Sequence, residues 1–213
     1  MLNNFKTILW DFDGVLMDSN AVRELGFERV LAKYPKEQVD KLILFHRANG
    51  GLSRYVKFRY FFEQILKEQV SDERIQNLAK SFSEIMRSLL VNPDLLIPDS
   101  LNFIKSNYNN ILMHVVSGSD ENELRHLCGI LQIDQYFKTI NGSPTPKKEL
   151  VRFILQDSSL KKEEVILIGD SINDYDAAKD NGITFIGYNN PELKNICSNY
   201  IPAFSPLNLI KTI

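Results

Sequence analysis

The sequence predicts an α/β fold: a doubly wound, Rossmann-like parallel sheet with a helical domain inserted after its first strand. Three observations carry this expectation. Short apolar, β-branched runs bounded by Gly, Asp, Ser and Asn recur along the chain, as in strands buried on both faces of a parallel sheet. Segments of helical period alternate with the later runs, the pattern of a layered α/β domain. One long interval near the N-terminus breaks the alternation and holds no convincing strand.

Taken in order, residues 8–10 (Ile-Leu-Trp) form the first strand. From about Asp18 to Asn92 the chain reads as several helices rich in Arg, Lys, Glu, Phe and Leu, with a broad apolar face that includes Tyr55, Phe58, Phe61, Phe62 and Ile65. Pro93 and Pro98 mark the return, where a helical segment ends and an extended connection begins. Strands are then expected over 111–116, 137–140, 165–168 and 184–186, with helices over 121–131 and 148–155. The division predicted is a core of residues 1–16 and 97–213 and an inserted helical cap of residues 17–96. No internal repeat or low-complexity tract interrupts it.

The composition excludes several classes. At 213 residues, with 44% hydrophobic and 24% charged residues, the chain can bury a full core and is neither disordered nor fibrous. A formal net charge of −2 leaves no electrostatic excess for holding a nucleic-acid backbone. No apolar run approaches the roughly 20 residues of a membrane helix. Lys6, Asp11 and Asp13 interrupt the first apolar stretch, which excludes a signal-peptide core. Cys128 and Cys197 lie far apart and outside any CxxC pattern, so they read as small buried apolar residues in a reducing, cytoplasmic protein.

The polar residues at strand ends carry the chemistry. Carboxyl ends of parallel strands form the ligand crevice of such sheets. The first strand runs into Asp11-Phe-Asp13-Gly14, two acids two residues apart. The strand at 165–168 runs into Gly169-Asp170-Ser-Ile-Asn173-Asp174. A calcium loop does not explain this second cluster, because Ile172 stands at a ligand position and no Gly at the sixth; helix capping by Asp170 through Asp174 is compatible with a metal role. A third strand end carries Ser117-Gly118-Ser119, whose hydroxyl and backbone N–H groups at a helix start suit a phosphate; the G-x-S-x-G frame of a nucleophile elbow is absent. A fourth segment, Gly142-Ser-Pro-Thr-Pro-Lys147-Lys148, offers a lysine pair at a helix start.

Asp-x-Asp-Gly, then Ser-Gly, then Lys, then Gly-Asp-Ser-x-x-Asp, in this order at successive strand ends, resembles the haloacid dehalogenase-like hydrolase superfamily. The inserted helices are similar to the C1 cap of its β-phosphoglucomutase and phosphoglycolate phosphatase relatives. The third motif departs from the common Lys-Pro-x-Pro, since Ser143-Pro-Thr-Pro146 fills that frame; Lys147 is preferred over Lys148 as the site lysine. The resemblance implies that Asp11 is the nucleophile, forming an aspartyl-phosphate, and that Asp13 protonates the leaving oxygen and later activates water. It implies Mg²⁺ at Asp11, Asp170 and the Asp13 carbonyl, with Asp174 behind them. Physical reasoning agrees that positive charge is needed, because a carboxylate meeting a phosphate dianion faces about 4 kcal/mol of repulsion per charge pair at 4 Å and an effective dielectric near 20.

The second acid at position 13 favours a phosphatase over a dehalogenase. Ser117, Gly118 and Ser119 are the expected phosphate-side contacts, and Asn173 is a further expected substrate contact. Arg54 and Lys57, three apart after Gly50-Gly51, are expected to meet the anionic body of the substrate when the cap closes. The histidines at 46, 114 and 126 are assigned no catalytic role. The protein is expected to act on a small phosphorylated metabolite as a monomer or weak dimer, with no nucleic-acid or membrane partner. A phosphomutase and a non-catalytic, receiver-like phosphoacceptor are the competing readings.

Overall fold

The computed structural model describes residues 5–156 and 160–204. Six parallel strands form one sheet in the order β3-β2-β1-β4-β5-β6: β1 (Thr7–Trp10), β2 (Leu112–Asp120), β3 (Thr139–Ser143), β4 (Val165–Gly169), β5 (Thr184–Tyr188) and β6 (Tyr200–Ile201). The alternation of side chains along each strand sends residues to opposite faces. Ile8, Trp10, Met113, Val115, Ile166 and Ile168 pack in one core cluster with α5 (Pro98–Asn107) and α6 (Glu121–Ile130). Leu9, Val116, Val165 and Leu167 pack in the other with α7 (Lys147–Leu155) and α8 (Ile172–Asn181). Helices on both faces make the sheet doubly wound, as expected from its continuous apolar strands.

Between β1 and β2 stand α1 (Asn20–Val30), α2 (Lys36–Ala48), α3 (Arg54–Tyr60), continued by a π-helical turn over Phe61–Leu66, and α4 (Asp72–Leu89). Their apolar faces share a center in which the Phe27 ring lies 4.5 Å from Phe82 and 5.3 Å from Phe58. Gly26 lets α1 approach α4 closely, since a Cβ there would come within 2.5 Å of the Met86 side chain. The chain leaves and re-enters the sheet side by side: the Asp18 N–H donates to the Leu95 carbonyl at 2.7 Å, and the Ile97 N–H to that of Leu16 at 2.9 Å.

Several boundaries differ from expectation. Pro93 and Pro98 begin a short 3₁₀ turn and α5, where a missing N–H costs nothing, so they start helical segments and do not end one. The third strand is displaced to Thr139–Ser143, and β2 runs four residues further than expected, to Asp120. The two-residue β6 carries no sequence signal. Among the described residues no helix is long and apolar enough to cross a membrane.

Candidate active site

Strand register assembles the site. Trp10 is level with Ile168 and Val115, and the Asp11 N–H continues the ladder with a 2.9 Å bond to the Ile168 carbonyl. Asp11 is thereby brought beside the Gly169-Asp170 turn and the Ser117 loop. Gly14, at φ +75°, takes a left-handed turn that a side chain would strain, and its missing Cβ leaves the space that the Asp170 carboxylate fills. At the other side Ser171 caps α8 and receives Asp174 in return, a reciprocal box that fixes the Asp174 carboxylate.

The carboxylate oxygens of Asp11, Asp170 and Asp174 lie within 4.8 Å of one another. Among the described residues the cation paired with them is Lys147, whose Nζ is 2.7 Å from Asp11 Oδ1 and also bonds Asp174. This identifies Lys147, the first residue of α7, as the lysine in the site. Burial and then the neighboring Asp174 and Asp170 push the Asp11 carboxyl well above the usual carboxylate range, with Lys147 opposing. Burial and Asp174 raise Asp170 to about 7. For Lys147, burial works against the charge, and Asp11 and Asp174 outweigh it to raise its pKa. Three carboxylates against one ammonium leave buried negative charge uncompensated. An all-oxygen donor set of this kind fits a hard divalent cation.

Asp13 does not join that group with its side chain. Its Oδ1 accepts from Arg23 Nε at 2.9 Å and from the Ser19 hydroxyl, and its Oδ2 accepts from the Ser119 hydroxyl at 2.6 Å. Burial pushes the Asp13 carboxyl up, but Arg23 and the three hydrogen bonds prevail and hold it at about 2.

The cleft beside these residues encloses about 470 Å³ including its mouth, and Ser117, Gly118, Ser119, Arg54 and Lys57 all line it. Ser117 is buried, and its hydroxyl oxygen accepts the Ser119 N–H at 3.1 Å, so its proton is free to point elsewhere. Because β2 continues through them, Gly118 and Ser119 do not stand at a helix start as expected; Asp120 caps α6 instead. Asn173 lines a neighboring cleft with Ser143 and Lys148. Arg54 lines the cleft with its guanidinium paired to Glu123, at 2.7 and 2.8 Å, and to the Ser83 hydroxyl at 2.6 Å. Lys57 does face the cleft, buried, with its ammonium donating to the Gly50 carbonyl at 2.9 Å.

Two residues of this region escaped the sequence reading: Arg23 lines the cleft, and Glu123 stands behind it. His46, assigned no catalytic role, lines the cleft as well. His46 packs on Phe27, and burial together with Lys57 lowers it to about 3, so it is neutral. The one local signal for Arg23 is its place one turn into α1 after Ser19, whose carbonyl accepts its N–H at 2.8 Å.

This fold, with its acids gathered at the carboxyl edge of the sheet, defines a class, and residues 8–188 match the family model described as haloacid dehalogenase-like hydrolase: the chain belongs to that family and is a hydrolase. Among similar proteins, a phosphorylated carbohydrates phosphatase of Thermotoga maritima is 25% identical over 193 residues, 84% of this chain and 82% of the relative. A phosphoglycolate phosphatase of Aquifex aeolicus is 27% identical, covering 82% and 80%. The fold is shared with β-phosphoglucomutase from Clostridium difficile, with TM-score 0.74 and 19% identity over 95% and 93% of the two chains.

Proposed function

We propose that the protein is an Mg²⁺-dependent phosphomonoesterase of small phosphorylated metabolites, acting through an aspartyl-phosphate on Asp11. The observation that carries this reading is the cluster of Asp11, Asp170 and Asp174, the first and last buried and Asp170 half-buried, with Lys147 paired to Asp11 and Asp174. The names of the relatives, a phosphorylated carbohydrates phosphatase and a phosphoglycolate phosphatase, favor short anionic or sugar phosphates. Asp11, Asp170 and Asp174 would hold the Mg²⁺, which when bound supplies charge neutralization at the transferring phosphoryl group.

The chain's own residues do the rest. Asp11 attacks phosphorus while Lys147 offsets the repulsion between carboxylate and phosphoryl oxygens. Ser117 directs its O–H at a phosphoryl oxygen. An incoming dianion opposes the field of Arg23 at Asp13, so Asp13 takes up a proton from solvent as substrate arrives and passes it to the leaving oxygen as the P–O bond breaks. Once the alcohol departs, Asp13 is again the base that draws a proton from water. Residues 17–96 act as a cap over the core of 1–16 and 97–213, moving on the paired connections at Asp18–Leu95 and Leu16–Ile97. The reading includes a cytoplasmic setting, in keeping with two buried free thiols, and a monomer or weak dimer.

The test is orthophosphate release from p-nitrophenyl phosphate and a panel of sugar, glycolate and nucleotide phosphates, with and without EDTA. Wild type is expected to be active only with metal, and Asp11→Asn inactive. Full activity in EDTA or in Asp11→Asn overturns the reading, and transfer to a second hydroxyl of the sugar in place of orthophosphate release makes the protein a phosphomutase.

A further inference from the structure

Behind Asp13 lies a chain of buried ion pairs, of which the reaction as drawn uses only the field of Arg23. Arg23 of α1 places Nε 2.9 Å from Asp13 Oδ1 and Nη1 2.5 Å from Glu123 Oε1. Glu123 of α6, with 0% exposure, also receives Arg54 of α3 on both oxygens, at 2.7 and 2.8 Å. One carboxylate from the sheet-side helix thus holds guanidinium groups from two of the inserted helices. Glu123 does not line the cleft, so whatever it does for the reaction passes through Arg23.

The geometry of Arg23 shows what that is. A guanidinium facing a carboxylate favors a fork of two parallel N–H bonds, one to each oxygen. Arg23 makes only the Nε half of that fork on Asp13. Its Nη2, the other prong, is buried without a hydrogen-bond partner. An orphaned donor of this kind costs free energy and persists only where something else fixes the group. Here Nη1 is tied to Glu123 on the far side, while Asp13 Oδ2 keeps its bond from the Ser119 hydroxyl at 2.6 Å.

We propose that Glu123 is a positioning residue: by holding Arg23 through Nη1 it stops the guanidinium from closing as a fork on Asp13, and so leaves Asp13 Oδ2 facing the Ser119 side of the cleft for proton transfer. This rests on the role of Asp13 as proton donor proposed above. Without the Glu123 charge, Arg23 swings both prongs onto Asp13 and locks it. Substrates whose leaving group needs a proton then suffer, and substrates whose leaving group departs as a stable anion do not.

The experiment compares kcat/KM, which reports steps up to departure of the leaving group, for an alkyl phosphate and for p-nitrophenyl phosphate. Glu123→Gln is expected to lower the alkyl ester by about tenfold or more, within the range that general acid help supplies, and the nitrophenyl ester by less than about threefold. Asp13→Asn is expected to show the same split, larger. Arg54→Gln, which leaves Glu123 on Arg23, is expected to change both esters alike. Equal losses on the two esters in Glu123→Gln, with the split present in Asp13→Asn, overturn the proposal and leave the phosphatase reading intact. A wild type inactive on every ester overturns the phosphatase reading itself. Should Glu123→Gln fail to fold by circular dichroism, Glu123→Asp, which withdraws the carboxylate by one methylene, is read in the same way.

Discussion

Lys57 carries an ammonium into the cleft wall at 3% exposure, where its hydrogen bond goes to a neutral carbonyl. Burial pushes its pKa down to about 7, with Arg23 and Arg54 adding to the effect and Asp13 opposing. An unfolded lysine titrates near 10.4, so between about 7 and 10.4 the unfolded chain binds the extra proton and stability rises with pH. Below about 7 both states are protonated and the full cost of burying the charge is present. Lys57→Met is therefore expected to raise the melting temperature at about pH 6 and to lose that advantage toward about pH 10; an equal gain at both would contradict the assignment. At this scale the acids and Lys147 were legible in the sequence because their chemistry fixes residue type at strand ends. Arg23 and Glu123 were not, because they lie 100 residues apart and no local pattern announces their pairing. Arg54 read as a free cation for the same reason: its counter-charge is 69 residues away.

The elements meet at two glycine-rich loops. A Cβ on Gly118 would come 2.3 Å from the Gly51 carbonyl oxygen, and one on Gly51 would come 2.8 Å from the Asn173 side chain. The loop between α2 and α3 thus rests directly on the end of β2 and the start of α8. Because the obstacle at Gly118 is backbone, no side-chain rotation relieves it. Gly118→Ala is expected to push this loop off the core at a cost of about 1–3 kcal/mol, seen as roughly a five- to 150-fold fall in kcat/KM. An unchanged kcat/KM would show that the contact is not needed for turnover. Element types were legible from apolar period. Their ends were less so: β2 extends through Ser117-Gly118-Ser119, small polar residues that resemble a loop and across which the register with β3 shifts, before pairing resumes at Asp120 opposite Ser143. Pro93 and Pro98 signal a helix start as well as a helix end, and sequence alone does not separate the two.

For the whole molecule, a parallel, doubly wound sheet was implicit in the alternation of strands and helices, though its strand order was not, and parallel pairing then requires that the strand ends share one edge. The family match over residues 8–188 rests on that frame. What the frame does not specify is how the helices between β1 and β2 settle against it, since that contact is made by the buried Arg23, Glu123 and Arg54 and by the glycine loops. The central claim is that Asp11 accepts the phosphoryl group in the pocket so formed. Mass spectrometry of enzyme acid-quenched during turnover tests it most directly. The account predicts the added mass of one phosphoryl group on the peptide containing Asp11, absent without divalent metal and absent in Asp11→Asn. The same mass on a peptide lacking Asp11, while turnover proceeds, would contradict it.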